Sequence, residues 1–349
     1  MGRMTNIGEP AGLLADPANF LHAIDVEGGH AYFVRTNAEL LRTASFVDGR
    51  VPMATSEPFE TPLPELIAAA PDLGVATDRF VFNCSFCGST LLGRLLDVPG
   101  RSLVLKEPRA LTDIAAWKSL NTRDGVPSKG LRPLLDMAKA VLRRPFQPGE
   151  PVTVKVASQG NLMADQLVED AAHAKPVFIT ISRFNFLRAV FRGGTDRMNY
   201  AARIAWHMAT EVPNGDAMLQ EASRMGGDPL RKAANMAVLA SSFQINRFER
   251  ATKVGHWGKN HLIDYETIAK SPHEAAAKAA RALDIPISDA DIERNVERLA
   301  NVSAKQPNEA FSSDQQQAVD NQLYAEHRQV FDDALKWADR TLGPQDGDA

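Results

Sequence analysis

The stretch RFVFNCSFCGSTLLGRLLD, residues 79–97, decides how the rest of the chain is read. An apolar run meets a short loop, and the loop meets a leucine-rich segment. Two motifs overlap there. Cys84 and Cys87 form a Cys-x-x-Cys, which at a helix N-terminus is the arrangement used for thiol–disulfide chemistry. Counted from Asn83, the same residues also match the spacing of the phosphate loop, in which a glycine is followed by four residues, Gly-Lys and a hydroxyl residue. Here Asn83 stands for the first glycine and Ser89 for the lysine, while Gly88 and Thr90 are in place. Without the lysine the loop is not expected to hold a triphosphate, so a kinase or ATPase is not expected. Backbone N–H groups of Cys87, Gly88, Ser89 and Thr90 at a helix N-terminus still suit an anion. The thiol reading lacks the aromatic and proline surroundings of thioredoxin-like modules. A zinc site needs about four ligands, and the nearest further candidates, His256 and His261, are scattered.

Working outward, residues 79–83 read as a strand and 90–96 as the start of a helix. SLVLKEP (102–108) is a second strand, GLRPLLDMAKAVLRR (130–144) a helix stopped by Pro145, and VTVKVAS (152–158) a third strand followed by a helix from Asn161. PVFITISR (176–183) is a fourth strand, and its unbroken apolar run suits a parallel strand buried on both faces. A helical block follows from about residue 199 to 250, and HLIDYE (261–266) is a fifth strand. Ser271-Pro272-His273-Glu274 reads as a capping box with proline at the first helical position. The last helix begins near Ser313, and Val319, Leu323, Val330, Ala334 and Ala338 are expected on its apolar face.

Upstream, HAYFVRT (30–36) and ASFVDGR (44–50) are expected to pair as strands around a helical AELLRTA, and the Pro-rich residues 51–74 read as a connector. The expected architecture is α/β: a P-loop-type, mostly parallel sheet with helices on both faces, a helical C-terminal half and a small N-terminal lobe. The lobe and its connector take residues 1–77 and the α/β domain residues 78–345.

The 349 residues are 44% hydrophobic and 23% charged, with a formal net charge of −4. That balance is ordinary for a globular protein and gives no sign of a nucleic-acid partner. No apolar run reaches the roughly 20 residues of a membrane helix, and MGRMTNIGEPAGLL lacks the pattern of a secretory signal. The two cysteines are three residues apart and staple nothing distant, so a cytoplasmic location is expected.

Five pieces in order resemble the sulfotransferase superfamily: Phe86-Cys87-Gly88-Ser89-Thr90-Leu91-Leu92; Lys106-Glu107-Pro108; residues 176–194; residues 261–287; and SAKQPNEAF at 303–311. The resemblance runs over roughly residues 78–340 and implies a P-loop-type fold and transfer of a sulfonate group from 3′-phosphoadenylyl sulfate (PAPS) to a hydroxyl or amine. It implies that Cys87, Gly88, Ser89 and Thr90 hold the 5′-phosphosulfate and that Arg183 and Lys305 hold the 3′-phosphate. Glu107 would be the general base, held ionised by Lys106, which would also stabilise charge on the transferred group. The partners implied are the nucleotide co-substrate and a small-molecule acceptor, with no metal, no membrane and no nucleic acid.

Two residues depart from the family pattern. Phe86 stands where the loop usually carries a cation, and Phe191 stands where a serine is expected eight residues after Arg183. A charge-assisted bond to phosphate is worth about 1.5–3 kcal/mol, so Lys106, Lys155 or Arg188 must compensate if the donor binds. Two rivals follow: a nucleotide-binding or interaction protein that keeps the fold without the chemistry, and a thiol oxidoreductase on Cys84 and Cys87. The sequence does not name the acceptor or the oligomeric state.

Overall fold

The chain is described by a computed structural model that covers residues 10–125, 128–224, 227–299, 302 and 312–343. Helix α1 (Pro10–Ala15) leads into β1 (Asn19–Asp25) and β2 (His30–Arg35). After α2 (Ala38–Thr43) and an irregular loop come β3 (Phe59–Pro62) and α3 (Leu63–Ala69). The three strands form an antiparallel sheet in the order β1-β2-β3, with the rings of Phe33 and Phe59 stacked across the second pair.

Two expectations are corrected here. Residues 44–50 are not a strand, and β2 pairs instead with β1 and β3. The Val47 N–H is taken by the carbonyl of Lys106, at 2.7 Å, which draws this segment out of the lobe's sheet. The Pro-rich stretch is more than a connector: its prolines sit where they cost no ladder bond, Pro62 at the end of β3 and Pro64 in the first turn of α3.

The second sheet has five parallel strands in the order β5-β6-β4-β7-β8. These are β4 (Asp78–Asn83), β5 (Leu103–Lys106), β6 (Val152–Lys155), β7 (Ala174–Thr180) and β8 (Leu262–Asp264). Between them run α4 (Ser89–Leu96), α5 (Arg109–Arg123), α6 (Leu131–Leu142), the single turn α7 (Ala164–Leu167), α8 (Arg183–Arg192), α9 (Gly194–Ala209), α10 (Gly215–Arg224) and α11 (Pro229–Val254). After β8 come α12 (Tyr265–Lys270), α13 (Pro272–Leu283), α14 (Asp289–Leu299) and α15 (Ser313–Leu342).

Side-chain alternation places helices on both faces. Val81 is level with Lys155, and Lys155 with Lys106, and these side chains point toward α4, where Gly93 lies against Val104 and Lys155. Phe80 and Phe82 point the other way. Phe82 stacks on Phe178, and both meet Phe248 of α11. Burying such aromatic area dominates the stability of a sheet core. From β4 the chain moves to β5 on one side, and from β7 to β8 on the other. Such a reversal opens a crevice beyond the carboxyl ends of the central strands.

The lobe is stitched to this domain by buried polar contacts. The Arg144 guanidinium donates to the carbonyls of Leu13, Leu14, Asp16 and Asn19, and burial pushes its pKa down to about 10. Arg42 pairs with Asp97 and Glu150. The buried residues of lobe and domain are contiguous, Phe33 and Leu41 with Phe82 and Leu92.

Three finer corrections follow. The segment after β6 begins as a tight 3-10 turn, Ser158–Met163, before α7. Ser271 makes no side-chain cap, because its backbone ends α12, donating to Thr267 O at 2.8 Å, while its carbonyl starts α13. Helix α15 is kinked at His327. Only its second half presents a buried face, formed by Phe331, Ala334, Trp337 and Ala338, and Val319 is exposed.

Candidate active site

The loop after β4 folds back on itself through three residues with positive φ: Ser85 (64°), Phe86 (54°) and Gly88 (75°). For serine and phenylalanine this region is disfavoured, at about 1–3 kcal/mol each. Glu107, just after β5, shares it at 62°. Three of the six non-glycine residues with positive φ among the described residues therefore lie along one edge of the sheet, a concentration that marks functional sites. Gly88 is also sterically required, since a Cβ there would lie 2.8 Å from Ile268 Cγ2. It precedes α4 with no side-chain cap, so the first N–H groups of the helix face the loop, and the helix dipole adds partial positive charge.

Both cysteines are fully buried and free. Burial pushes the Cys84 thiol well up. Burial also raises Cys87, although Lys155 and the N–H of Ser89 pull it the other way. Buried neutral thiols are poor nucleophiles, so this geometry counts against the oxidoreductase.

Phe86 does not leave the loop without a cation nearby. Its ring packs on Phe186 and Tyr200, and the guanidinium of Arg197 sits 4.9 Å from its centroid. A second cation comes from β6. The Lys155 side chain is fully buried, passes along Gly93 of α4, and ends on Glu107 Oε1. The other Glu107 oxygen accepts from Arg50 at 3.1 Å. Arg50 belongs to the lobe, where it stacks on Phe46 at 4.0 Å and pairs with Asp48.

Lys106, expected beside Glu107, faces elsewhere. Its stem lies against Gly93 of α4 on the same face as Lys155, but its ammonium donates to the Arg42 carbonyl at 3.0 Å and to Asp97 at 3.3 Å, while Glu107 follows β5 at a positive φ outside the strand's alternation. Burial lowers its pKa, opposed by Asp97, and burial raises that of Asp97, opposed by Lys106 and Arg42. The cation facing Glu107 from the sheet is therefore Lys155.

A buried hydroxyl cluster completes the crevice. Ser85 Oγ contacts Ser158 Oγ and lies 3.2 Å from Tyr200 Oη. Burial first, then the charge of Glu107, raises the Tyr200 pKa, so its phenol stays protonated. Behind the loop, Asn83 donates to Val156 O, Asn161 to Asn83 O and Gln244 to Cys84 O. This buried amide network fixes the loop from below.

Arg183 is buried at the first position of α8, where Ser182 caps the Asn185 N–H. It bonds Ser242 at 3.0 Å, Asp339 at 3.1 Å and the Gly343 carbonyl at 2.8 Å, tying α8 to the end of α15. Phe191 packs on Phe331. Lys305 and residues 303–311 lie outside the described residues. The structure thus brings Cys87, Gly88, Ser89, Thr90 and Glu107 to one edge of the sheet, with Arg183 under α15.

The histidines have structural surroundings: His207 Nδ1 contacts Ser119 Oγ and His261 Nδ1 contacts Pro176 O. Among the described residues, no three His, Cys, Asp or Glu side chains gather closely enough to hold a metal ion. None of the described helices is long and apolar enough to cross a membrane.

Arg50, Tyr200 and Arg197 were missed in the sequence. They come from segments without a motif, and only the tertiary fold brings them to the loop. Lys155 carried one signal, an isolated lysine inside the apolar strand VTVKVA.

No protein-family model and no curated protein matches the chain. Among solved structures it is similar to a sulfotransferase from Alicyclobacillus acidocaldarius, with 13% identity and a TM-score of 0.35 over 78% of this chain and 98% of that one. It is also similar to sulfotransferase STF9 from Mycobacterium avium, with 13% identity and a TM-score of 0.37 over 77% of this chain and 79% of that one. Likeness at this level carries neither activity nor substrate to this chain.

Proposed function

We propose that this protein transfers a sulfonate group from PAPS to a hydroxyl or amine of a small-molecule acceptor. One observation carries the reading: a loop in the left-handed region, at a helix N-terminus, faces a carboxylate and a buried ammonium on neighbouring strand ends. In this reading the backbone of Cys87, Gly88, Ser89 and Thr90 holds the 5′-phosphosulfate end of the donor. Lys155 supplies the charge that the loop lysine supplies elsewhere. Arg183 and Lys305 are assigned to the 3′-phosphate end, as the sequence resemblance implies. Bound, the donor provides an electrophilic sulfonate and a stable nucleotide leaving group.

Glu107 takes the proton from the acceptor hydroxyl or amine. Lys155 and Arg50 orient its carboxylate, and Tyr200, Ser85 and Ser158 offer hydroxyl groups on the same side. Because Arg50 comes from the lobe, the lobe forms part of the acceptor side. A second reading, nucleotide binding without turnover, is favoured by the aromatic packing of Phe86 and Phe191. The protein is expected to act in the cytoplasm.

Glu107→Gln tests the reading. With PAPS and a panel of hydroxyl and amine acceptors, the variant should release adenosine 3′,5′-bisphosphate about 10²-fold more slowly or worse, the usual scale for a general base. Its affinity for that product should be nearly unchanged. Normal turnover by the variant would remove Glu107 as base. Binding without turnover by wild type would favour the second reading.

A further inference from the structure

Helix α15 is two helices in one. At His327 the backbone leaves helical geometry (φ −115°, ψ 20°). Beyond it, Phe331, Ala334, Trp337 and Ala338 are buried, and Trp337 Nε1 donates to Glu221 at 2.8 Å. Before it, among residues 314–326, Asp320 alone is buried. This first half therefore docks mainly through one carboxylate, helped by the edge of Tyr324 against Phe184.

That carboxylate meets an excess of positive charge. Arg192 pairs with Asp320, and Arg188 lies 3.6 Å from its other oxygen and 3.4 Å from Asn321 Oδ1. Arg188 Nε is buried and has no hydrogen-bond partner among the described residues. Arg197 of α9 donates instead to the Ala189 carbonyl at 2.7 Å. The next acid, Glu266, is bound by Asn185. Two guanidinium groups thus share one carboxylate, which belongs to a segment with little apolar surface to hold it down. Such a dock sits at the low end of local stability.

We propose that the first half of α15 is a strap over an anion site, with Asp320 standing in for a phosphate group on Arg188 and Arg192, and that a phosphate-bearing ligand opens the strap by competing for those two arginines. Toward the loop, the Arg197 guanidinium donates to Ala189 O of the same helix α8 that carries Arg188 and Arg192 and faces the Phe86 ring. The proposal rests on the nucleotide reading in taking the loop as the 5′ end of the same ligand, and it adds Arg188 and Arg192 to Arg183 and Lys305 at the 3′-phosphate end. A closed strap reduces apparent affinity by the fraction of molecules that are open.

The test uses the full chain, adenosine 3′,5′-bisphosphate and two readouts: titration calorimetry and amide hydrogen exchange of residues 314–326. Asp320→Asn should bind about tenfold or more tightly than wild type, the net worth of one charge-assisted contact. Arg192→Gln should bind more weakly. In wild type the ligand should speed exchange in 314–326, whereas in Asp320→Asn exchange should be fast beforehand, with residues 331–340 unchanged as the folding control. Equal or weaker binding by Asp320→Asn, or slower exchange in 314–326 on binding, overturns the strap. Absence of binding to Asp320→Asn overturns it too. Gly88→Ala separates this from the loop reading. If it binds like wild type while Asp320→Asn still gains, the loop assignment falls and the strap stands. If it loses binding and Asp320→Asn gains nothing, the strap falls and the loop stands.

Discussion

Replacing Gly88 by alanine adds one methyl group, and the structure says what that methyl meets. Gly88 has φ 75°, where an L-residue costs about 1–2 kcal/mol. The new Cβ would lie 2.8 Å from Ile268 Cγ2 and 3.5 Å from its Cβ. Ile268 is fully buried on α12, so overpacking adds about 1–3 kcal/mol. The expected loss is therefore about 2–5 kcal/mol, read as a lower urea midpoint at unchanged slope. The two terms can be separated. Ile268→Ala alone should cost about 2–5 kcal/mol through its cavity. It removes the clashing methyl, so the double variant should be less destabilised than the sum by about 1 kcal/mol or more. The backbone term remains, because Ile268→Ala leaves φ unchanged. A Gly88→Ala protein within about 0.5 kcal/mol of wild type, or strict additivity in the cycle, would refute this account of the loop.

Two other outcomes follow from the buried charges. Asp97→Ala should destabilise by about 3–5 kcal/mol, since it leaves the fully buried Lys106 ammonium without its carboxylate; denaturant titration checks this, and Asp97→Leu with Lys106→Met should recover most of the loss. Acid should weaken the fold through His22 and His207, whose pKa values are lowered first by burial, then by Arg109 at His22 and by Arg123 and Arg203 at His207. The unfolded chain binds these protons more readily, so their contribution is complete above the ordinary histidine value of about 6.5 and is lost as pH falls through the depressed folded values. A urea midpoint series from pH 8 to pH 5 should drop on the acid side, and His207→Gln should flatten part of that drop.

Much of the sheet was legible because its strands are short apolar runs bounded by turn residues: the positions of β4, β5, β6, β7 and β8 follow from that pattern alone. Gly88 was legible for a stronger reason, a spacing with a steric cause. The lobe was harder to read. Residues 44–50 carry strand-like residues, but the Val47 N–H goes to the Lys106 carbonyl and not to a strand of the lobe. The strand Phe59–Pro62 hid in a proline-rich stretch because prolines at strand ends break no ladder. Nothing in the sequence of α15 marks the kink at His327, where neither proline nor glycine stands. At the site, chain neighbours misled: Lys106 precedes Glu107 in sequence yet its ammonium ends on Asp97 and the Arg42 carbonyl, and the ion pair forms with Lys155 of the neighbouring strand.

The central claim is that the loop at residues 85–90 is an anion site facing Lys155 and Glu107. A crystal structure of the protein grown with adenosine 3′,5′-bisphosphate tests it most directly. The account predicts difference density for the 5′-phosphate at the N-terminus of α4, within hydrogen-bond distance of the N–H groups of Gly88, Ser89 and Thr90 and on the Lys155 side of the loop. Density for the nucleotide elsewhere on the protein, with this loop empty, would contradict it.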